Sequence, residues 1–207
     1  VDAQAQRVLP PSGRAPAKGT GDAGGDLAEL EDDLLVERAA EGDDDAFAVL
    51  VDRHSPPLLA LALRMLGSLP DAEEAVQDAL INAWRRLPDF HRDATFRTWM
   101  YRIVTNQCLS HLRGRAPAVP LSVVPEPPAH DPGSEPARAA ESEAATQALG
   151  RALRDLPPSQ RACWILRELH GMSYAEIAQI VNTSEQTVRG RLYRARRTLM
   201  KEMAPWR

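Results

Sequence analysis

The segment GMSYAEIAQIVNTSEQTVRGRLYRARRTLM, residues 171–200, decides the architecture of this chain. Tyr174, Ile177, Ala178 and Val181 recur at i, i+3, i+4 and i+7, which gives a short helix one apolar face. Asn182 and Thr183 interrupt that pattern, and Ser184 is placed to cap a second helix. There Val188, Leu192, Ala195 and Leu199 make a stripe for burial, while Arg189, Tyr193, Arg194 and Arg197 lie opposite and Arg191 and Arg196 flank them. Two helices across a short turn, the second apolar on one side and arginine-rich on the other, form the pattern of a helix-turn-helix with its recognition helix. An ordinary helical hairpin with a solvated basic face is the competing reading. Five arginines between Arg189 and Arg197 repel one another unless a polyanion lies against them, which favours DNA.

The formal net charge of −4 speaks against a nucleic-acid partner until its distribution is examined. Residues 34–84 carry 10 acids against 3 bases, whereas residues 85–115 carry 7 bases against 2 acids and residues 141–207 carry 11 bases against 7 acids. Two basic islands separated from acidic stretches point to DNA on one side and a protein partner on the other. Of the 25 cationic residues only Lys18 and Lys201 are lysine, a bias that suits planar, bidentate contacts. Cys108 and Cys163 lie far apart on helical patterns without metal-ligand spacing, so neither a metal nor a redox role is expected. No apolar run approaches a membrane span and no signal-peptide core is visible, so membrane insertion is not expected and a cytoplasmic location is.

The fold class expected is all-α: two small helical domains joined by a flexible Pro-rich linker. Residues 1–31 mix Ala, Gly, Pro and Gln with little periodicity and predict a disordered extension. Residues 32–115 predict an N-terminal domain. Leu34, Leu35, Ala39, Phe47, Leu50 and Val51 share one face, Pro56 and Pro57 interrupt, helix resumes to Leu66, and Gly67 and Pro70 close it. A third helix starts at Asp71 and buries Ala75, Val76, Ala79, Leu80, Ala83 and Trp84; a fourth spans 95–113 with Phe96, Trp99, Met100, Ile103, Val104, Cys108 and Leu112 inward. Residues 116–140 predict the linker, and residues 141–207 a second domain with helices near 141–155, 158–170, 173–181 and 184–203.

Three segments together resemble a known family: DAEEAVQDALINAW (71–84), FRTWMYRIVTNQCLSHLR (96–113) and LRELHGMSYAEIAQIVNTSEQTVRGRLYRARRTL (166–199). In this order they are similar to the extracytoplasmic-function (ECF) sigma factors of bacterial RNA polymerase, over about residues 32–203. The resemblance implies a protein that binds core polymerase, recognises −35 and −10 promoter elements and melts the latter, with no cofactor, metal or catalysis of its own. It implies docking on the polymerase β′ coiled coil through Asp71, Glu74, Gln77, Asp78 and Ile81, where an acidic edge with an apolar flank suits a basic groove.

The resemblance also assigns promoter melting to residues 85–113. Extruding a base needs a cationic groove and a pocket. Arg85, Arg86, Arg92, Arg97 and Arg102 supply phosphate contacts, and Phe90, His91, Arg92 and Asp93 correspond to a pocket for a flipped base. Asn106 matches a base-reading position, and Trp99 the first half of an aromatic wedge whose second half is Met100 here; Trp99 between Phe96 and Ile103 also reads as core. For the −35 element the matching residues are Ser184, Glu185, Arg189, Gly190, Tyr193 and Arg194, with Arg191, Arg196 and Arg197 on the same helix and Arg191 and Arg196 as phosphate clamps. Gly190 stands where serine is commoner. His170 is expected at the helix join or at the polymerase β flap, and an anti-sigma factor is the expected further partner. Two rivals remain: a stand-alone helix-turn-helix regulator, and a helical-bundle enzyme built around Asp52 and His54.

Overall fold

Asp43 accepts hydrogen bonds from the backbone N–H groups of Asp45 and Ala46, at 3.1 and 3.0 Å, and starts the longest described helix. The structure, a computed structural model, describes residues 27–114 and 136–206, and among these every regular element is helical. The N-terminal unit comprises α1 (Asp32–Ala40), α2 (Asp44–Leu66), α3 (Leu69–Arg86), a single 3₁₀ turn (Leu87–Asp89) and α4 (Phe96–Gly114). The C-terminal unit comprises α5 (Pro136–Asp155), α6 (Pro158–Glu168), α7 (Tyr174–Ile180), α8 (Glu185–Glu202) and a closing 3₁₀ turn (Ala204–Trp206).

Pro56 and Pro57 do not interrupt the chain; both lie inside the continuous α2. Each proline costs an isolated helix about 3 kcal/mol. Burial offsets this: Leu50, Leu58, Leu61, Ala62 and Met65 are fully buried, and a large apolar side chain so placed is worth ~1.5–3 kcal/mol. The prolines sit on the partly exposed side of α2, where the carbonyls they free can meet water. The same helix is long and apolar enough to cross a membrane, with a mean hydropathy of 1.2, yet its apolar face is the centre of the protein core. Pro70 likewise starts α3 instead of closing α2, because the first turn of a helix has no use for its N–H.

The expected disordered extension ends earlier than residue 31. Leu27 is buried, and Arg53 of α2 donates to the carbonyls of Ala28 and Leu30, both at 3.0 Å. The rest of that extension, residues 1–26, lies outside the described residues, as do residue 115 and 116–135 of the expected linker. Within the remainder of that linker, helix α5 begins at Pro136. Leu34, expected inward, is 50 % exposed, and Trp84 is partly exposed against Phe47, ring centres 4.7 Å apart.

The two units are not separate beads. One buried cluster runs from Leu35, Leu50 and Leu61 through Met100, Tyr101 and Val104 into Ile165, Met172, Ile177 and Leu192. Helix α4 packs on α7 and α2 on α6. A second, smaller cluster of Ala152, Leu153, Leu156, Ala195 and Leu199 ties α5 to α8.

Candidate nucleic-acid and polymerase interface

Helix α8 is shaped by its cap and its stripe. The Ser184 hydroxyl accepts from the Thr187 N–H at 3.2 Å, and Val188, Leu192, Ala195 and Leu199 are buried. That fixes which side faces out: Arg189, Tyr193, Arg194 and Arg197 are exposed, Tyr193 by 67 %. Ahead of it, Ser173 and Glu176 cap α7 reciprocally, with the Ser173 N–H donating to Glu176 at 2.8 Å and the Glu176 N–H to Ser173 at 3.2 Å. Those bonds from Ser173 hold the Glu176 carboxyl below its usual range. The turn between the helices reverses through Asn182, whose φ of +47° is left-handed.

The arginines of α8 divide into displayed and committed groups. Arg196 donates to Glu168 through Nε at 3.0 Å and Nη2 at 2.6 Å, which raises its pKa. Arg191 is half-buried and lies beside the Cys163 thiol. Arg189 reaches Glu185 at 3.1 Å and also sits over the Tyr174 ring. Gly190 is half-exposed, and a Cβ there would meet only the Arg194 guanidinium at 3.6 Å, so the position has room for a side chain.

The second basic surface forms where α3 ends and α4 begins. Arg85 and Arg86 are exposed in the last turn of α3, where the helix dipole favours cations. The connecting loop presents His91, Arg92 and Asp93 to solvent, Arg92 with a left-handed φ of +58° and 3.6 Å from Glu37. Phe90 is half-buried, its ring 4.8 Å from that of half-buried Trp99 and 6.5 Å from that of Phe96. Thr95 caps α4 by accepting from the Thr98 N–H at 3.2 Å, after which Arg102 and Asn106 project from one exposed face a turn apart. Arg97 is exposed but occupied: its Nη2 donates to the carbonyl of His170 at 3.0 Å.

Along α3, Glu74 and Gln77 are exposed and Ile81 is 43 % exposed. Asp78, also on that edge, accepts from Gln107 at 2.9 Å, and half-buried Asp71 lies 3.8 Å from the His111 ring. The acidic edge is therefore partly tied to α4.

Asp52 and His54 have different surroundings. Asp52 is exposed, while the His54 ring binds Asp32 at 2.8 Å and so pins the start of α1 to α2. No cluster of three or more metal-ligating side chains occurs among the described residues. Burial raises the thiol pKa of both cysteines, that of Cys108 to about 12, which leaves both as inert core thiols.

Arg161 and Tyr101 escaped the sequence reading, whereas His170, expected at the helix join or the β flap, sits in the turn between α6 and α7. Buried Arg161 donates Nη1 to the Met65 carbonyl at 2.5 Å and Nη2 to the carbonyls of Arg154 and Leu156. The Tyr101 hydroxyl and His170 Nδ1 lie 2.9 Å apart. The only local hint was an arginine four residues before Ile165 on the apolar side of α6; the partners lie too far along the chain for any pattern to reveal.

Comparisons with known proteins agree with this geometry. Residues 50–117 match the family model for sigma-70 region 2, and residues 146–199 that for sigma-70 region 4. The chain is 34 % identical over 188 residues to the RNA polymerase sigma-H factor of Pseudomonas aeruginosa, covering 86 % of this chain and 97 % of the relative. It is 36 % identical over 185 residues to the ECF RNA polymerase sigma-E factor of Escherichia coli K12, covering 86 % and 96 %. Among solved structures, CnrH in complex with the cytosolic domain of CnrY superposes with a TM-score of 0.63 at 31 % identity, covering 84 % of this chain and 97 % of that one. The sigma factor RpoE in complex with the anti-sigma factor NepR from Bartonella quintana gives 0.62 at 25 % identity, covering 76 % and 96 %. With both sigma regions present in order and helical throughout, the chain belongs to the ECF sigma factors, alternative sigma factors of promoter recognition.

Proposed function

We propose that this sigma factor reads the −35 element with α8, reads and melts the −10 element with the α3–α4 surface, and docks on core polymerase through the exposed edge of α3. The observation that carries the reading is α8 itself. Its apolar side is fully committed to the core, so Arg189, Tyr193 and Arg194 form an outward face with chemistry for guanine edges and phosphates. Arg85, Arg86, Arg102 and Asn106, close to the Phe90–Trp99 aromatic pair, supply phosphate contacts, an amide for base edges and rings on which an unstacked base can lie. Glu74, Gln77 and Ile81 suit the basic β′ coiled coil, and the C-terminal unit would meet the β flap.

The fold neighbours CnrH and RpoE are held by CnrY and NepR, and this supports an anti-sigma partner for this chain as well. The protein acts in the cytoplasm, where polymerase and promoter are, and needs no cofactor.

The test mixes the full chain with bacterial core polymerase lacking any sigma factor, follows co-elution on gel filtration, and then maps run-off transcription on fragmented source DNA. Co-elution with discrete new start sites is expected. Tight, specific DNA binding by the chain alone, without co-elution, would overturn the reading in favour of a stand-alone regulator.

A further inference from the structure

Gly190 lies in the interior of α8, half-exposed and with helical backbone. Glycine is less favourable in a helix interior than any residue but proline, so the fold is weaker for having it there. Nothing within the protein requires it. Gly190 is not among the residues with positive φ. Among the described residues, a Cβ at this position meets nothing nearer than Arg194, whose guanidinium nitrogens lie at 3.6 and 3.8 Å and central carbon at 4.0 Å. Those are ordinary contacts with the movable end of an exposed side chain. Neither packing nor backbone conformation therefore accounts for the missing side chain.

The position of Gly190 on α8 points outside the protein. By helical periodicity it stands almost directly opposite the buried stripe of Val188, Leu192, Ala195 and Leu199, at the crest of the outward face. Its neighbours one turn away are Gln186 and Thr187 on one side and Tyr193 and Arg194 on the other. Gln186, Tyr193 and Arg194 are exposed, and Thr187 is half-buried. The crest thus carries a notch one side chain deep, floored by backbone, with an amide on one side and a phenol ring on the other. A recognition helix in the major groove meets base edges along this crest. The one apolar projection on those edges is the C5 methyl of thymine, and its partner adenine offers an acceptor and a donor that a glutamine amide matches with two hydrogen bonds. A notch beside a glutamine therefore has the shape and the chemistry of one A·T pair.

We propose that Gly190 and Gln186 form a specificity site for a single A·T pair of the −35 element, the thymine methyl seated on the bare backbone at Gly190 and the adenine read by the Gln186 amide. The inference rests on the assignment of −35 reading to α8. It adds Gln186 to the reading face and makes the absent side chain at Gly190 a determinant of specificity. Any larger residue there would occupy the space that the methyl needs. Arg194, whose guanidinium lies over the notch, clears it by turning its exposed side chain toward a guanine or a phosphate.

The experiment selects duplexes from a pool randomised over the −35 element, using the complex of the full chain with core polymerase. The enriched duplex is then rebound with deoxyuridine in place of each thymine in turn, which removes only the methyl. The parent complex should enrich one A·T pair that Gly190→Ala and Gln186→Ala no longer enrich, while both keep the guanines selected elsewhere in the element. Deoxyuridine at that pair should weaken binding by the parent about threefold and leave binding by Gly190→Ala unchanged. In thermal melts of the free chain Gly190→Ala should gain about 2–4 °C, so its loss of selectivity is not a loss of fold. An unchanged selection by Gly190→Ala, equal binding of the thymine and deoxyuridine duplexes by the parent, or a lower melting temperature for Gly190→Ala would each overturn the proposal. A parent complex that enriches no element at all would instead overturn the −35 assignment, and this site with it.

Discussion

The guanidinium carbon of Arg189 lies 5.4 Å from the centre of the Tyr174 ring, so the first helix of the helix-turn-helix carries the platform for an arginine of the second. The same ring carries Arg167 at 5.1 Å. Arg189→Ala should weaken −35 recognition by ~1–3 kcal/mol, the worth of a bidentate base contact. Tyr174→Leu should cost less, about 0.5–1 kcal/mol, through a looser Arg189, and Tyr174→Phe should restore it. Competition binding of the polymerase complex to −35 variants measures both. Equal losses in polymerase affinity would show that the substitutions disturb the fold and not the reading face.

Polymerase docking should respond to the opposite set. Gln77→Ala or Glu74→Lys on the exposed edge of α3 should weaken core association several-fold and leave the affinity of the chain for −35 DNA unchanged. Titration against labelled core polymerase checks the first part and gel shift the second. Asp78→Ala should act in the same direction while also removing the 2.9 Å bond from Gln107, so a drop in thermal stability is expected for it alone.

The contact between Tyr101 and His170 should weaken in mild acid. Burial, with the charges of Arg64 and Arg97 nearby, lowers the His170 pKa from 6.5 to about 4, and the Tyr101 hydroxyl is its hydrogen-bond partner. The folded state therefore favours neutral imidazole, whereas the unfolded chain takes up a proton near 6.5. This contribution to stability is complete above pH 6.5 and fades as pH falls toward 4. Stability of the full chain in urea should decline over that window, and His170→Gln should reduce the decline. A decline of equal size in His170→Gln would assign it to other titrating groups, carboxylates among them.

The turn at Asn182 offers a test of backbone strain. With φ at +47°, Asn182→Gly should be nearly neutral, whereas Asn182→Val should cost ~1–2 kcal/mol, because a β-branched side chain clashes in the left-handed region. Urea melts of the full chain give both values.

What the sequence revealed and what it hid divide along local and distant causes. The stripe of Val188, Leu192, Ala195 and Leu199 is a periodicity within one helix, and every one of these residues is buried. The caps at Ser173 and Ser184 are likewise matters of three or four residues. Pro56 and Pro57 misled because their local preference is overruled by packing from α1, α3 and α4, which local periodicity does not report. The partners of Arg161 and His170 gave no signal, since they stand 96 and 69 positions away. Arg191 and Arg196 share a helix with Arg189 and Arg194, yet Cys163 and Glu168 beneath them set them apart.

The two prolines inside α2 bear on the order in which the protein acquires structure. A segment with Pro56 and Pro57 in its interior has no helical stability of its own and can wind only against a surface that already exists. That surface comes largely from α3 and α4, which leave the ribosome after it. The oldest long segment of the nascent N-terminal unit must therefore wait for its younger neighbours, and its C-terminal half belongs to the late side of the folding barrier. Truncating Leu58 or Leu61 should accelerate unfolding far more than it slows folding, giving φ-values near zero in the centre of the native core.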